Sequence, residues 1–175
     1  MEQEIVNRVA SSPLVTIDLE QFAHPGERVV FDIRDLLYEG LIIREKDVRQ
    51  FVKDHDWMQY EGKNVSLVCS ADAVVPTWVY MLLASSLAPW AHRVVTGDLE
   101  VLETVLFRDA LAAIHPEQYR DAKVVIKGCS RKFVPSSAYT ELVCLLRPYV
   151  SSIMYGEPCS TVPVYKKKIA VPPAK

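Results

Sequence analysis

The strongest constraint on this chain is a phrase that it uses twice. Val68-Cys69-Ser70 is followed by Val75-Pro76-Thr77-Trp78-Val79-Tyr80, and Gly128-Cys129-Ser130 by Val134-Pro135-Ser136-Ser137-Ala138-Tyr139. Each copy reads as a short apolar strand, a Cys-Ser pair, a loop, and then a helix opened by Val-Pro. Proline suits the first helical turn, where its missing N–H leaves no internal hydrogen bond unmade and its fixed φ is already helical. A third, shorter copy, Pro158-Cys159-Ser160-Thr161-Val162-Pro163-Val164-Tyr165, lacks the helix. Strands that alternate with helices imply parallel strands joined by right-handed crossovers, the α/β class.

The surrounding sequence continues that alternation. Residues 64–69, 93–96, 123–126 and 150–155 read as strands, and residues 76–87, 99–113 and 135–146 as helices. The expected architecture is a mostly parallel sheet with helices on both faces over residues 61–165. A short N-terminal α+β lobe over residues 1–60 precedes it, with strands at 14–19 and 28–37 and a helix at 44–56 that carries Val48, Phe51 and Val52 as its apolar stripe. A flexible basic tail, residues 166–175, follows. Residues 78–87 hold so little polar surface that their helix is expected to be buried all round, within the domain or beneath a second subunit, so a homo-oligomer is expected.

Charge and hydropathy narrow the partners. Lys plus Arg total 20 and Asp plus Glu 22, a net charge of -2, which argues against nucleic acid or an anionic membrane held by bulk charge. No apolar run reaches the roughly 18 residues of a membrane span, and Met1-Glu2-Gln3-Glu4 is acidic where a signal peptide is basic. A cytoplasmic location is therefore expected, and there the four cysteines read as core thiols, metal ligands or reactive groups rather than disulfides.

If the strands are parallel, Cys69, Cys129 and Cys159 all leave the sheet at its C-terminal edge, where open α/β sheets place their binding crevices. One expectation is a zinc site of these three thiolates, its fourth position held by water, an imidazole or a carboxylate, Asp98 in preference to Asp72; iron, copper or an iron–sulfur cluster fits the same donors. No pair has C-x-x-C spacing. An alternative is a small anionic ligand held at the two helix starts, with Ser70, Asp72, Thr77, Ser130 and Ser136 facing it. Neither the dinucleotide-binding glycine fingerprint nor a Walker-type loop is present. A third reading makes Cys69 or Cys129 a nucleophile or redox centre. No histidine is placed to activate it, since His24, His55, His92 and His115 fall in loops or at strand starts, His92 at the opposite end of the sheet. The sequence thus assigns no catalytic residue and leaves enzymatic activity open. A structural or interaction protein without ligand is the remaining reading, and Cys144, beside Val143, Leu145 and Leu146, is expected to fill core space.

Several longer phrases also carry a resemblance. Arg28-Val29-Val30-Phe31-Asp32-Ile33, Cys69-Ser70-Ala71-Asp72-Ala73, Lys127-Gly128-Cys129 and Ser152-Ile153-Met154-Tyr155-Gly156-Glu157-Pro158-Cys159 are similar to the bacterial family known as domain of unknown function 2480 (DUF2480). The resemblance covers nearly the whole chain and implies a bacterial cytosolic protein. It brings no activity or ligand.

Overall fold

The structure, a computed structural model, describes residues 14–128, 131–157 and 160–168. In chain order the main elements are β1 (Leu14–Asp18), β2 (Arg28–Asp32), β3 (Leu37–Tyr38), β4 (Ile42–Ile43), α1 (Glu45–Asp54), β5 (Asn64–Val68), α2 (Thr77–Leu87), β6 (Arg93–Thr96), α3 (Leu99–Leu111), β7 (Lys123–Lys127), α4 (Ser136–Leu146), β8 (Ser152–Glu157) and β9 (Ser160–Lys166). The class is α/β with mostly parallel strands. No helix among the described residues is long and apolar enough to cross a membrane.

The strands form two principal sheets rather than one. β2, β5 and β6 run parallel in that order, as do β1, β7 and β8, with β9 added antiparallel to β8. The compact units follow these sheets and not the expected boundary at residue 60: a continuous unit is His24–Leu106, and a split unit combines the residues before His24 with those after Leu106. The physical reason is strand pairing. Each early strand, β1 or β2, supplies the edge of a different parallel sheet, so the residues assigned to an N-terminal lobe are divided between the two units.

The two units repeat one another. β5, α2 and β6 stand at the same spacing as β7, α4 and the start of β8. Buried side chains recur in step: Val65 and Leu67 meet Val79, Leu83 and Leu87 in one core, and Val124 and Ile126 meet Ala138, Leu142 and Leu146 in the other. Backbone hydrogen bonds recur too. Gly62 N–H donates to Trp90 O at 3.0 Å where Asp121 N–H donates to Tyr149 O at 2.9 Å, and His92 N–H to Lys63 O at 2.8 Å where Ser151 N–H donates to Ala122 O at 2.8 Å. Even the left-handed corner before the central strand is shared, by Gly62 at φ 69° and Asp121 at φ 58°, aspartate being among the few L-residues that tolerate it.

Three local expectations change. α2 is not buried all round: Val79, Leu83 and Leu87 face the core while Thr77, Met81 and Ser85 are exposed, an i, i+4 stripe that its uniformly apolar composition hides. The basic tail begins later than residue 166, because Lys166 pairs with Ser152 in β9, Lys167 N–H donates to Ser151 O at 2.9 Å, and Lys167 Nζ lies 3.6 Å from Asp121. Residues 169–175 lie outside the described residues. The strand at 28–37 is cut short, because Asp32 caps a 3-10 turn over Ile33–Leu36.

The N-terminal edge of the continuous sheet is closed by a polar cluster. Fully buried Asn64 places its Nδ2 3.0 Å from His24 Nδ1 and its Oδ1 2.9 Å from His92 Nδ1, and the two rings stack with centroids 3.9 Å apart. Gly26 N–H also donates to His24 Nδ1, so that atom is an acceptor and the ring must be neutral. Burial, then the neighbouring His92 and Arg28, hold His24 below the ordinary histidine range, with Glu103 opposing. As pH drops below about 6.5 the unfolded chain binds protons that the folded ring refuses, so stability is full above that value and is lost toward the depressed folded value. Urea midpoints should therefore fall from about pH 7 to about pH 5. The fall should be smaller in His24→Asn, whose Oδ1 keeps the acceptor without the titration; identical pH profiles would refute this.

Candidate functional site

The two sheets each end in a loop that leads to a helix, and in each case a carboxylate from the neighbouring strand organises that loop. At the end of β2, Asp32 Oδ1 accepts from Arg34 N–H and from Ser70 N–H, both at 3.0 Å, and Oδ2 accepts from Ser70 Oγ at 2.5 Å. Burial raises the Asp32 carboxyl, but the Ser70 hydroxyl, the two N–H groups and the Arg34 charge outweigh it and hold the group below the usual carboxylate range. At the end of β1, Asp18 accepts from Glu20 N–H at 3.0 Å in the same way, and Glu20 Oε1 accepts from Arg131 N–H at 2.9 Å.

This arrangement redistributes the residues expected to bind an anion. Both donors of Ser70 are held by the protein's own anion, Asp32. Asp72 is exposed in the loop, Thr77 is exposed at the first position of α2, Ser136 is exposed at the first position of α4, and Ser130 lies outside the described residues. α2 and α4 begin at Pro76 and Pro135 without a side-chain cap.

The cysteines are divided as well. Cys69 directly follows the central strand of the continuous unit, half-buried, with Sγ 3.7 Å from Ala71 O. Burial, and the Cys69 thiol beside it, push the Tyr80 phenol up from its ordinary value. Cys129 and Cys159 lie outside the described residues, and the strands before them, β7 and β8, belong to the other sheet. Asp98, the expected fourth zinc ligand, caps α3, its Oδ1 accepting from Val101 N–H at 2.9 Å. Among the described residues no three His, Cys, Asp or Glu side chains gather as a metal would require.

The sequence echo also shifts by one residue when read in three dimensions. Pro76 and Pro135 are equivalent and so are Val68 and Lys127, which makes Gly128 the counterpart of Cys69. A side chain does not fit there. Gly128 has φ 149°, and a Cβ would stand 2.9 Å from Leu19 Cβ and 3.2 Å from Tyr139 Oη, which donates to Gly128 O at 2.5 Å. The tyrosine of the repeated phrase thus lies within the electrostatic reach of a thiol in one unit and donates to a glycine carbonyl in the other.

In the split unit the outer face of α4 and the strands beside it form a groove of about 630 Å3. Its lining combines Ser136, Tyr139, Thr140, Val143 and Cys144 of α4 and Val134 just before it with Ile126, Ile153, Met154, Tyr155 and Val164 of the strands. Edge strand β9 shapes it. Pro163 is tolerated because an edge strand needs no ladder bond from it, and the register shift opposite Ile153 and Met154 leaves Val164 unpaired, with its side chain in the groove. Tyr139 and Tyr155 meet edge to face, centroids 5.8 Å apart. Cys144 is exposed rather than a core filler. The core stripe of α4 is Ala138, Leu142 and Leu146, and at 100° per residue position 144 lies on the opposite side. That spacing is the signal for Thr140 and Cys144; Tyr139 and Val143 flank the core stripe and pack against it, and the bulge at Val164 has no such signal.

Asp32→Ala removes three hydrogen bonds, one of them the cap of the 3-10 turn, and should cost about 1–3 kcal/mol in urea denaturation. It should also speed iodoacetamide labelling of Cys69, read by peptide mapping, because Ser70 is released; an unchanged labelling rate would show that Asp32 does not hold the loop.

Comparison with known proteins adds one finding. A family model described as "Protein of unknown function (DUF2480)" matches residues 3–167. No curated protein and no solved structure matches the chain. Since the matched region covers nearly its whole length, the chain belongs to the DUF2480 family.

Proposed function

We propose that this protein binds a small apolar molecule in the groove between α4 and the strands β8 and β9. The observation that carries this reading is the groove itself: about 630 Å3 falls within the roughly 300–1,000 Å3 typical of small-molecule sites, and its lining is apolar apart from a few hydroxyls and one thiol. The polar groups are not evenly spread. Ser136, Tyr139 and Thr140 sit toward the start of α4, and Val143 and Cys144 lie further along, so the site suits an elongated ligand with one polar end. From Ser136 to Cys144 the helix rises about 12 Å, which sets the length of the whole ligand, polar end included. The test uses 8-anilinonaphthalene sulfonate. Its fluorescence should rise on binding, Cys144 should become protected from alkylation, and Thr140→Trp should weaken binding at least about tenfold with the melting temperature unchanged. Equal binding by wild type and variant, with Cys144 unprotected, would overturn the assignment.

A second reading, an interaction module that pairs with its own copy, is favoured by the outward face of α2. Met81 is 68% exposed there, beside Trp78 and Leu82, and the Glu45–Arg49 ion pair of α1 borders the same hollow. Glu45 and Arg49 give this face both signs of charge, as the self-complementarity of an isologous contact requires. Sedimentation equilibrium should give a dimer that Met81→Glu converts to monomer; a monomeric wild type would dismiss this reading.

A further inference from the structure

The continuous unit holds a second, chemically different cavity. It measures about 290 Å3, and its lining includes the rings of Phe31, Phe51, His55 and Tyr60 together with Asp32 and Asp35. The rings stand at varied angles. Phe31 meets Phe51 at 78° and His55 at 74°, both with centroids 6.0 Å apart, Phe51 lies 4.6 Å from His55, and His55 lies 5.7 Å from Tyr60. Phe31 and Tyr60 belong to the hydrophobic core and His55 stacks on Tyr60 at 26°, so the lining rings border the hollow as one edge of an aromatic cluster. No lysine or arginine lines it. Arg34 is the neighbouring cation, and its Nε lies 3.8 Å from Asp35 Oδ1 with both side chains exposed, a pair that water screens and an incoming cation can displace.

We propose that this cavity binds a small alkylammonium cation, its methyl groups against the aromatic rings and its charge balanced by Asp32 and Asp35. Positive charge is attracted to the faces of aromatic rings, and a quaternary ammonium, which has no N–H to satisfy, gives up its hydration at least cost. An anionic ligand is repelled by the two carboxylates, and a neutral one lacks the charge attraction that they and the ring faces offer a cation. The remaining titratable ring does not oppose the cation, since burial holds His55 below the ordinary histidine range, with Asp56 opposing, and His55 Nε2 lies within hydrogen-bond distance of Tyr60 Oη at 3.1 Å. The volume is at the lower end for ligand sites, which suits a compact head group.

The full-length chain should be titrated calorimetrically with choline chloride and, separately, with the neutral isostere in which carbon replaces the quaternary nitrogen. Choline should bind, and the isostere at least about tenfold more weakly. Asp35→Asn, at a side chain 84% exposed and so without consequence for folding, should weaken choline roughly three- to tenfold and leave the isostere unchanged. Phe51→Leu should weaken choline more than the isostere. Equal affinity for the two compounds, no heat with choline, or an Asp35→Asn variant that binds choline as the wild type does would each overturn the proposal.

Discussion

A parallel sheet leaves its first strand with a difficulty: the chain must depart at the C-terminal edge and yet hold the loop of the next strand in place. Both units meet it with a carboxylate at the end of the first strand. Asp18 and Asp32 each follow a buried apolar residue, each precede another, and each accept the N–H two residues on, so that a 3-10 turn begins where the strand stops. That turn seats Leu19 or Ile33 in its core, and the adjoining carboxylate, Asp32 itself or Glu20, grips the next loop. Cores, helix starts and cavities are all built on this edge. The acids have a structural task, and the loops' capacity for anions is in part already used.

Much of this is legible in the sequence, for reasons that can be named. The strand and helix positions follow from apolar periodicity and from the proline that opens α2 and α4, both local properties. The copied phrase announces the repeat, and its tyrosine is equivalent in the two units. What local pattern does not determine is which strand pairs with which. Leu14 pairs with Lys123 and Arg28 with Asn64, long-range choices that divide the early strands between two sheets. A single sheet is the natural expectation from strands and helices that alternate in this way. The cysteines also show how a repeat misleads when its most conspicuous residue is not its anchor: the prolines keep step, and the cysteines differ by one position.

The twin helices show how one frame acquires two surfaces. α2 and α4 bury the same stripe, but where α2 exposes Met81 and Ser85, α4 has Thr140 and Cys144. The smaller, more polar face of α4 stands beside an extra antiparallel strand, and a groove opens between them. On the α2 side the aromatic content moves instead to Phe31, Phe51, His55, Trp57 and Tyr60, whose rings cluster around the end of α1. The repeat therefore supplies scaffolding twice, and the insertions and edge strands specific to each unit supply the cavities.

The nesting of one unit inside the sequence of the other bears on biosynthesis. A ribosome completes residues 24–106 before it has made β7, so the continuous unit can reach its native pairing while β1 is still without a partner strand. In the split unit β7, β8 and β9 pair with near neighbours in sequence, and the long-range step is the addition of β1 to β7 across the whole continuous unit. Until that step β1 is an unpaired strand carrying Val15 and Ile17, the kind of segment that a chaperone holds until its neighbour emerges.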